Sequence, residues 1–239
     1  MNLNEKKLRY EILSEMSQNR VPMGASMLAL IIDTSQATIG RQLQQLEFEG
    51  YLMKHSNKGR TITEEGLEYL KGLKNDIESD KKAQALIAVS RDESEERLLD
   101  VLRTRKVIEK ETIKCAVEKI TDDEIEFLKS LINEQELKVL QGMLGEEEDY
   151  KFHCEIARIC GNKVLEEILV LILSQRNSYS KFSIIRNRVK HTVINHKLIL
   201  EAIEDRDTEK AEKLMVEHLE QTIKDVEDYF KENSSKKVK

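Results

Sequence analysis

Scarcity of helix-breaking residues is the feature that most limits the folds open to this chain. Its 239 residues include one proline, Pro22, and nine glycines, whereas 35% of the residues are charged and only 5% are aromatic. A β-sandwich or barrel needs more turn residues and more β-branched runs than this. The composition therefore predicts a mostly α-helical protein with long, charged helix surfaces. The length allows one large or two modest domains.

Charge and cysteine content narrow the class of protein further. The formal net charge is −6, so any nucleic acid would have to bind through a local basic patch. The three cysteines have no CxxC spacing, which favours a reducing compartment over a disulfide framework. The sequence starts with charged residues, unlike a signal peptide, and its longest apolar stretch, VLEEILVLIL, is too short to span a bilayer. We therefore expect a cytoplasmic protein with no membrane partner.

The element order of residues 1–75 is that of a winged helix-turn-helix. Apolar spacing predicts one helix that stops before Pro22, a short helix over 25–32, and a second helix that is capped by Ser35 and ends at Gly50. YLMKHSNKGRTIT then has the pattern of two short strands around a polar turn, and helix resumes at TEEGLEYLKGL. The stretch LEFEGYL…KGRTIT resembles the second half of bacterial winged-helix regulators. This resemblance implies a DNA-binding domain.

The second helix of this domain would be the one that reads DNA. Amides, hydroxyls and an arginine are groups that read base edges in the major groove. The residues predicted to face DNA are Ser35, Gln36, Thr38, Arg41, Gln42 and Gln45. In the hairpin, Lys54, Lys58 and Arg60 can neutralise phosphates, which position a protein without reading sequence. The alternative is that these are solvated residues of a protein-docking or dimerisation module.

Everything after the hairpin is predicted to be helical. Residues 76–94 contain no proline or glycine and are expected to form a helical linker with a break near SRDES. Apolar residues recur at helical spacing over residues 95–232, which predicts an antiparallel all-helical bundle able to hold a pocket between its helices. Residues 233–239 are expected to be a polar tail.

Four polar residues within this bundle form a candidate site. Asp149 and His153 lie four residues apart in EEEDYKFHCEI, a spacing that places both side chains on one helix face. His196 and His218 lie on or beside the apolar stripes of two later helices. One carboxylate and three imidazoles suit a borderline divalent ion such as zinc, nickel or manganese. By spacing alone, a metal site and a set of satisfied core residues explain the pattern equally well.

Three stretches resemble one known domain. DYKFH with GN eight residues on, HKLILEAIEDRDTEKAEKLMVEHL, and RTRKVIEKETIKCAVEKITDDEIEFL are similar to the effector-binding (FCD) domain of FadR-type regulators in the GntR family, over roughly residues 95–230. The resemblance implies a helical bundle that holds a divalent metal beside a small carboxylate effector, with zinc as the expected ion. The ligands that it implies are Asp149, His153, His196 and His218.

Two positions need separate treatment under this resemblance. Arg105 is the candidate partner of the effector carboxylate, because a guanidinium matches a carboxylate bidentately. It lies four residues before Glu109, so a plain intrahelical ion pair is the alternative. The DNA-reading helix departs from the family, since SQATIGRQL has Gln36 and Gly40 where the family has arginines. The family's DNA contacts therefore do not transfer to this chain.

Together these features predict a metabolite-responsive transcriptional regulator. It would bind a two-fold DNA operator as a homodimer, and a small organic acid bound at the metal would shift the protein away from its DNA-binding state. Loss of DNA binding is the expected direction, which makes the protein a repressor. One alternative is a metal sensor, and another is a metal-dependent hydrolase. The hydrolase lacks an obvious general base, since Glu146 to Glu148 are expected to be a solvated helix start. We therefore expect no enzymatic activity.

Overall fold

The chain forms two compact units. The structure is a computed structural model that describes residues 1–19, 21–174 and 185–236, and the side chains of these residues apart from 185–190 and 235–236. The units are Met1–Ala85 and Leu86–Lys239, and the boundary between them falls inside a long helix. The predicted fold class is confirmed, with a winged helix-turn-helix in the first unit and a helical bundle in the second.

The first unit contains three helices, a hairpin and the start of a fourth helix. The elements are α1 (Leu3–Asn19), α2 (Ala25–Ile31), α3 (Gln36–Phe48), β1 (Leu52–Lys54), β2 (Arg60–Ile62) and the beginning of α4 (Glu64–Arg91). The two strands pair antiparallel. Ser35 caps α3 as predicted, since its hydroxyl accepts a hydrogen bond from the backbone N–H of Thr38 at 3.1 Å. This cap fixes where α3 begins.

One apolar core holds the elements of the winged helix together. The inner face of α3, formed by Ile39, Leu43 and Leu46, is fully buried. It packs against apolar side chains of α1, α2, the hairpin and α4. The opposite face of α3 is thereby left to solvent, because apolar residues recur on only one side of this helix.

Arg9 is a buried charge that the apolar pattern of α1 did not predict. Its guanidinium donates two hydrogen bonds to the Glu49 carboxylate, at 2.7 and 3.1 Å. It also donates to Oε1 of Gln42 and to the Tyr69 hydroxyl, both at 3.2 Å. These hydrogen bonds lower the pKa of Glu49 despite the burial that opposes the shift. Arg9 therefore connects α1 to α3 and α4 through one set of charged contacts.

The second unit is a bundle of helices. Its elements after α4 are α5 (Glu95–Lys119), α6 (Asp122–Leu140), α7 (Glu146–Cys160), α8 (Lys163–Ser174), α9 (Ile185–Glu204) and α10 (Thr208–Lys236). Ion pairs show that α5 and α10 are antiparallel, since Arg103 approaches Glu227 whereas Lys110 approaches Glu212. The interhelical apolar core includes Phe152 of α7, which is buried.

Caps and breaks define the helices of this unit. The break between α4 and α5 lies at residues 92–94, inside the SRDES stretch. Thr121 and Glu124 form a capping box at the start of α6. Asn162 of the GN pair accepts hydrogen bonds from the first backbone N–H groups of α8. Helix α10 continues through residues 233–236 of the predicted polar tail, and residues 237–239 lie outside the described residues. Within the described part of the chain, every helix is too short or too polar to cross a bilayer.

Substituting Gly59 by alanine is expected to destabilise the first unit. Gly59 has a φ of +112°, and a Cβ there would lie 2.6 Å from the carbonyl carbon and oxygen of Met23. Met23 and Arg60 exchange two backbone hydrogen bonds beside this glycine, so the clash falls on backbone that is already paired. We expect the free energy of unfolding to fall by about 1–3 kcal/mol, measured by differential scanning calorimetry of the whole chain.

Gly72 provides the matched control. It lies inside α4, and a Cβ added there would meet no atom within 4 Å. Gly72→Ala should therefore stabilise the chain by about 0.5–1 kcal/mol, because alanine loses less backbone entropy in a helix. A Gly59→Ala variant that is as stable as Gly72→Ala would show that the close approach of Met23 is unimportant.

Candidate metal centre

Three helices bring together the four residues that the sequence grouped as metal ligands. Asp149 and His153 lie on α7, His196 on α9 and His218 on α10. All four are buried, and each offers one ligand atom such that the four atoms lie within 4.8 Å of one another. The i, i+4 spacing on α7 accounts for the first pair, whereas the packing of α9 and α10 against α7 is needed to add the other two.

The distances within the cluster suit a small cation. Oδ1 of Asp149 lies 3.8 Å from Nε2 of His153 and 3.6 Å from Nε2 of His196. A tetrahedral zinc with bonds near 2.0–2.1 Å separates its ligand atoms by about 3.4 Å. The centroids of the three imidazole rings lie 4.9–5.3 Å apart. The two Asp149–histidine distances are therefore within a few tenths of an ångström of those around one ion, and all four ligand atoms lie close enough to approach it.

Three ring nitrogens in the cluster lack a hydrogen-bond partner among the described residues: Nδ1 and Nε2 of His153, and Nε2 of His196. All three atoms are fully buried. A buried polar atom left in this state costs free energy, which is why such atoms are uncommon in native proteins. Both Nε2 atoms face the same oxygen of Asp149. A divalent cation is the group that would satisfy the two nitrogens and the carboxylate together, so this donor set fits a metal.

The opposite nitrogen of His196 has a well-defined partner. Nδ1 of His196 lies 2.9 Å from Oε1 of Gln135, which is buried on α6. Nε2 of Gln135 donates to the carbonyl oxygen of Gly145 at 3.3 Å, at the turn that leads into α7. Sequence analysis missed Gln135, because a glutamine in a helix carries no distinctive pattern.

The opposite nitrogen of His153 faces a carboxylate. Nδ1 of His153 lies 2.5 Å from Oε2 of Glu109 on α5. Burial would raise the pKa of Glu109, but the charge of Arg105 and the contact with His153 outweigh it and lower this pKa to about 2. Glu109 is therefore ionised at neutral pH. The sequence had singled it out only as an intrahelical partner of Arg105.

Arg105 adopts the arrangement that was the alternative to effector binding. Its Nε lies 2.6 Å from Oε1 of Glu109, and both side chains are buried. Arg105 thus lies behind His153, with Glu109 between them. Its contact with an effector stays a prediction.

The acidic residues at the start of α7 are not all solvated, contrary to expectation. Glu147 is exposed as predicted for a solvated turn, but Glu148 is 1% exposed and its Oε1 accepts a hydrogen bond from Lys138 at 2.5 Å. The expectation that Glu146 to Glu148 are all solvated is therefore wrong for Glu148. It is buried because the α6 side chain Lys138 provides a charge partner at the point where α7 begins.

The residues predicted to face DNA fall into two groups. Exposed or partly exposed residues include Ser35, Gln36, Thr38, Arg41, Gln45, Lys54 and Lys58. Gln42 and Arg60 instead have partners within the first unit: Gln42 accepts a hydrogen bond from Arg9, and Arg60 donates to Glu47 at 2.7 Å. Both side chains thus make contacts within the first unit, and their contact with DNA stays a prediction, as it does for the other residues of this set. Gln44, which the sequence analysis did not select, is also exposed on α3.

Comparisons with known proteins assign each unit to a known domain type. The family model described as FCD domain matches residues 100–221, and the model described as Ribonuclease R winged-helix domain matches residues 10–70. Among curated proteins, the HTH-type transcriptional regulator LutR of Bacillus subtilis (strain 168) is 26% identical over 144 residues, which cover 58% of this chain and 66% of LutR. The match thus spans just under two thirds of that relative.

Two solved structures have a similar fold over nearly the whole chain. E. coli McbR/YncC gives a TM-score of 0.53 at 15% identity and covers 96% of this chain and 99% of its own. Lar, described as controlling the expression of the Listeria monocytogenes agr system, gives a TM-score of 0.51 at 16% identity. The match covers 93% of this chain and 96% of Lar. These likenesses show the fold alone. The match to a different winged-helix model agrees with the prediction that the N-terminal domain is atypical.

Metal-free protein is expected to lose stability as the pH falls below 6.5. Burial, together with the neighbouring imidazoles, lowers the pKa of His196 well below 6.5 and that of His218 to about 3. Unfolding releases both rings to protonate near pH 6.5, so in this window the unfolded chain binds more protons than the folded one. Between pH 7.5 and 5.5 each histidine then removes about 1.4 kcal/mol in total. Thermal midpoints in a chelating buffer between pH 7.5 and 5.5 measure the loss.

A His218→Gln variant isolates the contribution of one ring. Glutamine does not titrate, so the variant should lose less stability than the wild type over the same pH range. The range stays above pH 5, where the carboxylates contribute little to the difference. Parallel losses in the two proteins would contradict the assignment of a neutral, buried His218.

Proposed function

The chain belongs to the FCD-domain family of GntR-type transcriptional regulators, and from that premise we propose that it is a metabolite-responsive repressor. Its winged helix binds an operator, and its helical unit binds a divalent metal and a small carboxylate. Binding of the carboxylate releases the DNA. The observation that carries the proposal is the pair of buried Nε2 atoms, of His153 and His196, that face Asp149 without a hydrogen-bond partner.

The ligand set of the proposed site is Asp149, His153, His196 and His218. The low pKa values of His196 and His218 support it, because metal ligands must be unprotonated and these rings are neutral at pH 7. Zinc is the ion that this donor set suits best, and nickel and manganese are the alternatives. When bound, the ion supplies positive charge and a coordination position for an oxygen ligand.

Charge supports an anionic effector. The described charged groups that contact the histidines are the carboxylates of Asp149 and Glu109, with the guanidinium of Arg105 beside Glu109. A divalent cation held by the four ligands would add two positive charges to this set. A buried positive charge favours a negative ligand. A small organic acid is therefore the effector class that matches the site.

The first unit supplies the proposed DNA-binding surface. The exposed face of α3 presents Gln36, Arg41 and Gln45, and the hairpin presents Lys58. The relative LutR is an HTH-type transcriptional regulator, which supports DNA as the partner of this unit. We propose that the protein binds its operator as a homodimer. In a symmetric dimer each protomer makes the same contacts to one half of a two-fold symmetric site, which doubles the number of contacts. The effector lowers operator affinity only to the extent that it binds the two states unequally.

Purified protein is expected to contain close to one divalent metal ion per chain. A double variant with His196→Ala and His218→Ala should contain none, because it removes two of the four ligands. His191→Ala is the matched control, since His191 lies exposed on the same helix as His196. Elemental mass spectrometry of the three proteins gives the answer. A wild type without bound metal would show that the four residues are polar side chains of the core and not metal ligands.

Operator binding is expected to depend on α3 and the hairpin separately. Fragments of genomic DNA selected by the purified protein provide the operator. Arg41→Ala should weaken binding to the selected site by about 1–3 kcal/mol and relax its sequence preference, since base contacts specify. Lys58→Ala should weaken all DNA equally and lower the dependence on salt. Fluorescence anisotropy titrations at several salt concentrations measure both effects.

Lys71→Ala is the control for charge, because Lys71 is exposed on α4 and not on the proposed surface. Equal operator affinity of all three variants would contradict the assignment of the DNA-binding face. Small carboxylates are then added to the metal-loaded protein on its operator. An unchanged affinity with every acid tested would remove the effector from the proposal, and a response to metal alone would identify a metal sensor.

A further inference from the structure

Two hydrogen bonds determine which way the carboxamide group of Gln135 is oriented. Its carboxamide nitrogen lies 3.3 Å from the carbonyl oxygen of Gly145, which can only accept, so the nitrogen must donate there. The carboxamide oxygen is therefore the atom that lies 2.9 Å from Nδ1 of His196. Because this oxygen only accepts, Nδ1 of His196 must carry the proton. A neutral imidazole has one N–H, which leaves the lone pair on Nε2.

Glu109 favours the same tautomer of His153. Its Oε2 lies 2.5 Å from Nδ1 of His153, and its Oε1 is held by Nε of Arg105 at 2.6 Å. The contact does not have the geometry of a hydrogen bond, and neither atom has another partner among the described residues. An unprotonated Nδ1 would place its lone pair against a negative oxygen at this distance, so the contact favours the proton of His153 on Nδ1. Both rings thus present the lone pair of Nε2 to Oδ1 of Asp149, which lies 3.6–3.8 Å away. Two side chains from two different helices thus favour the same tautomer in two rings.

The position of Gln135 depends in turn on the turn before α7. Gly145 has a φ of +68°, and a Cβ there would lie 2.8 Å from Cγ of Gln135. The absence of a side chain at Gly145 is therefore what allows Gln135 to lie against its carbonyl oxygen. This contact joins the start of the helix that carries Asp149 to the ring of His196 on another helix.

We propose that Gln135 and Glu109 are positioning residues that fix the Nδ1–H tautomers of His196 and His153 and so direct Nε2 of both rings into the cluster. They do not touch the metal themselves. The inference rests on the proposed metal site for its consequence, which is that metal affinity depends on both residues. Outer hydrogen-bond partners of this kind change metal affinity by about 10- to 100-fold in other proteins.

Three variants test the role of Gln135. Gln135→Leu removes the acceptor and should weaken metal binding by about 10- to 100-fold. Gln135→Glu keeps an acceptor oxygen and should restore most of the affinity. Gln141→Leu is the matched control, because Gln141 is exposed at the end of the same helix, and it should bind metal as the wild type does. Competition with a chromogenic chelator for zinc measures the dissociation constants.

Glu109 is tested with a milder change. Glu109→Gln keeps an oxygen that can accept from Nδ1 but removes the charge that faces Arg105. We expect an affinity loss of about tenfold, at the lower end of the range for outer partners. Thermal midpoints of the metal-free proteins show whether each variant is folded, so that lost affinity is not mistaken for lost structure.

A second readout needs no metal. Nitrogen-15 NMR of the histidine rings in metal-free protein distinguishes the Nδ1–H from the Nε2–H tautomer. His196 should be the Nδ1–H tautomer in the wild type and in Gln135→Glu, and a mixture in Gln135→Leu. Failure of the wild type to bind zinc would overturn the proposed function. The ring tautomers measured by NMR would still show whether Gln135 and Glu109 fix the position of the proton. An unchanged tautomer and unchanged affinity in a folded Gln135→Leu would overturn the inference.

Discussion

Burial of three imidazole rings at one point of a helical bundle is the constraint on which the second unit depends. Each ring has two polar nitrogens, and a buried nitrogen without a partner is costly. Gln135 of α6 forms a hydrogen bond with Nδ1 of His196, and α5 places the Glu109 carboxylate against Nδ1 of His153. These contacts account for a buried carboxylate, Glu109, and a buried carboxamide, Gln135, in a core that is otherwise apolar. They also account for Arg105, whose charge helps to keep Glu109 ionised there.

A single buried charge has a comparable role in the first unit. Arg9 is 4% exposed, and it remains charged because Glu49 faces it and because Gln42 and Tyr69 accept its remaining hydrogen bonds. Removing one partner of such a pair leaves an uncompensated buried charge, which costs far more than the pair itself contributes. The orientation of α3 is therefore specified by polar contacts at one edge and by the apolar face of Ile39, Leu43 and Leu46 elsewhere.

Periodicity and capping were sufficient to predict most of the fold. The inner face of α3, the Ser35 cap and the Thr121 capping box all follow from local sequence rules, and the structure confirms them. The four clustered residues were grouped from spacing on α7 and from a family resemblance. What could not be predicted depends on contacts distant in sequence: Gln135 lies 61 residues from His196. No local pattern distinguishes such a glutamine from one on a solvated helix face.

The same limit applies to two of the predicted DNA contacts. Gln42 and Arg60 have the residue types and spacing of DNA contacts, and the sequence does not reveal their hydrogen bonds to Arg9 and Glu47. The family matches therefore say more about the function of the second unit than about that of the first. The FCD match covers the helices that form the buried cluster, so the kind of ligand proposed for this cluster can be argued from the family. The first unit matches a different winged-helix model, and its reading helix lacks the family's arginines. A fold supplies the scaffold while sites supply the function, so the operator of this protein has to be established from its own α3 and hairpin.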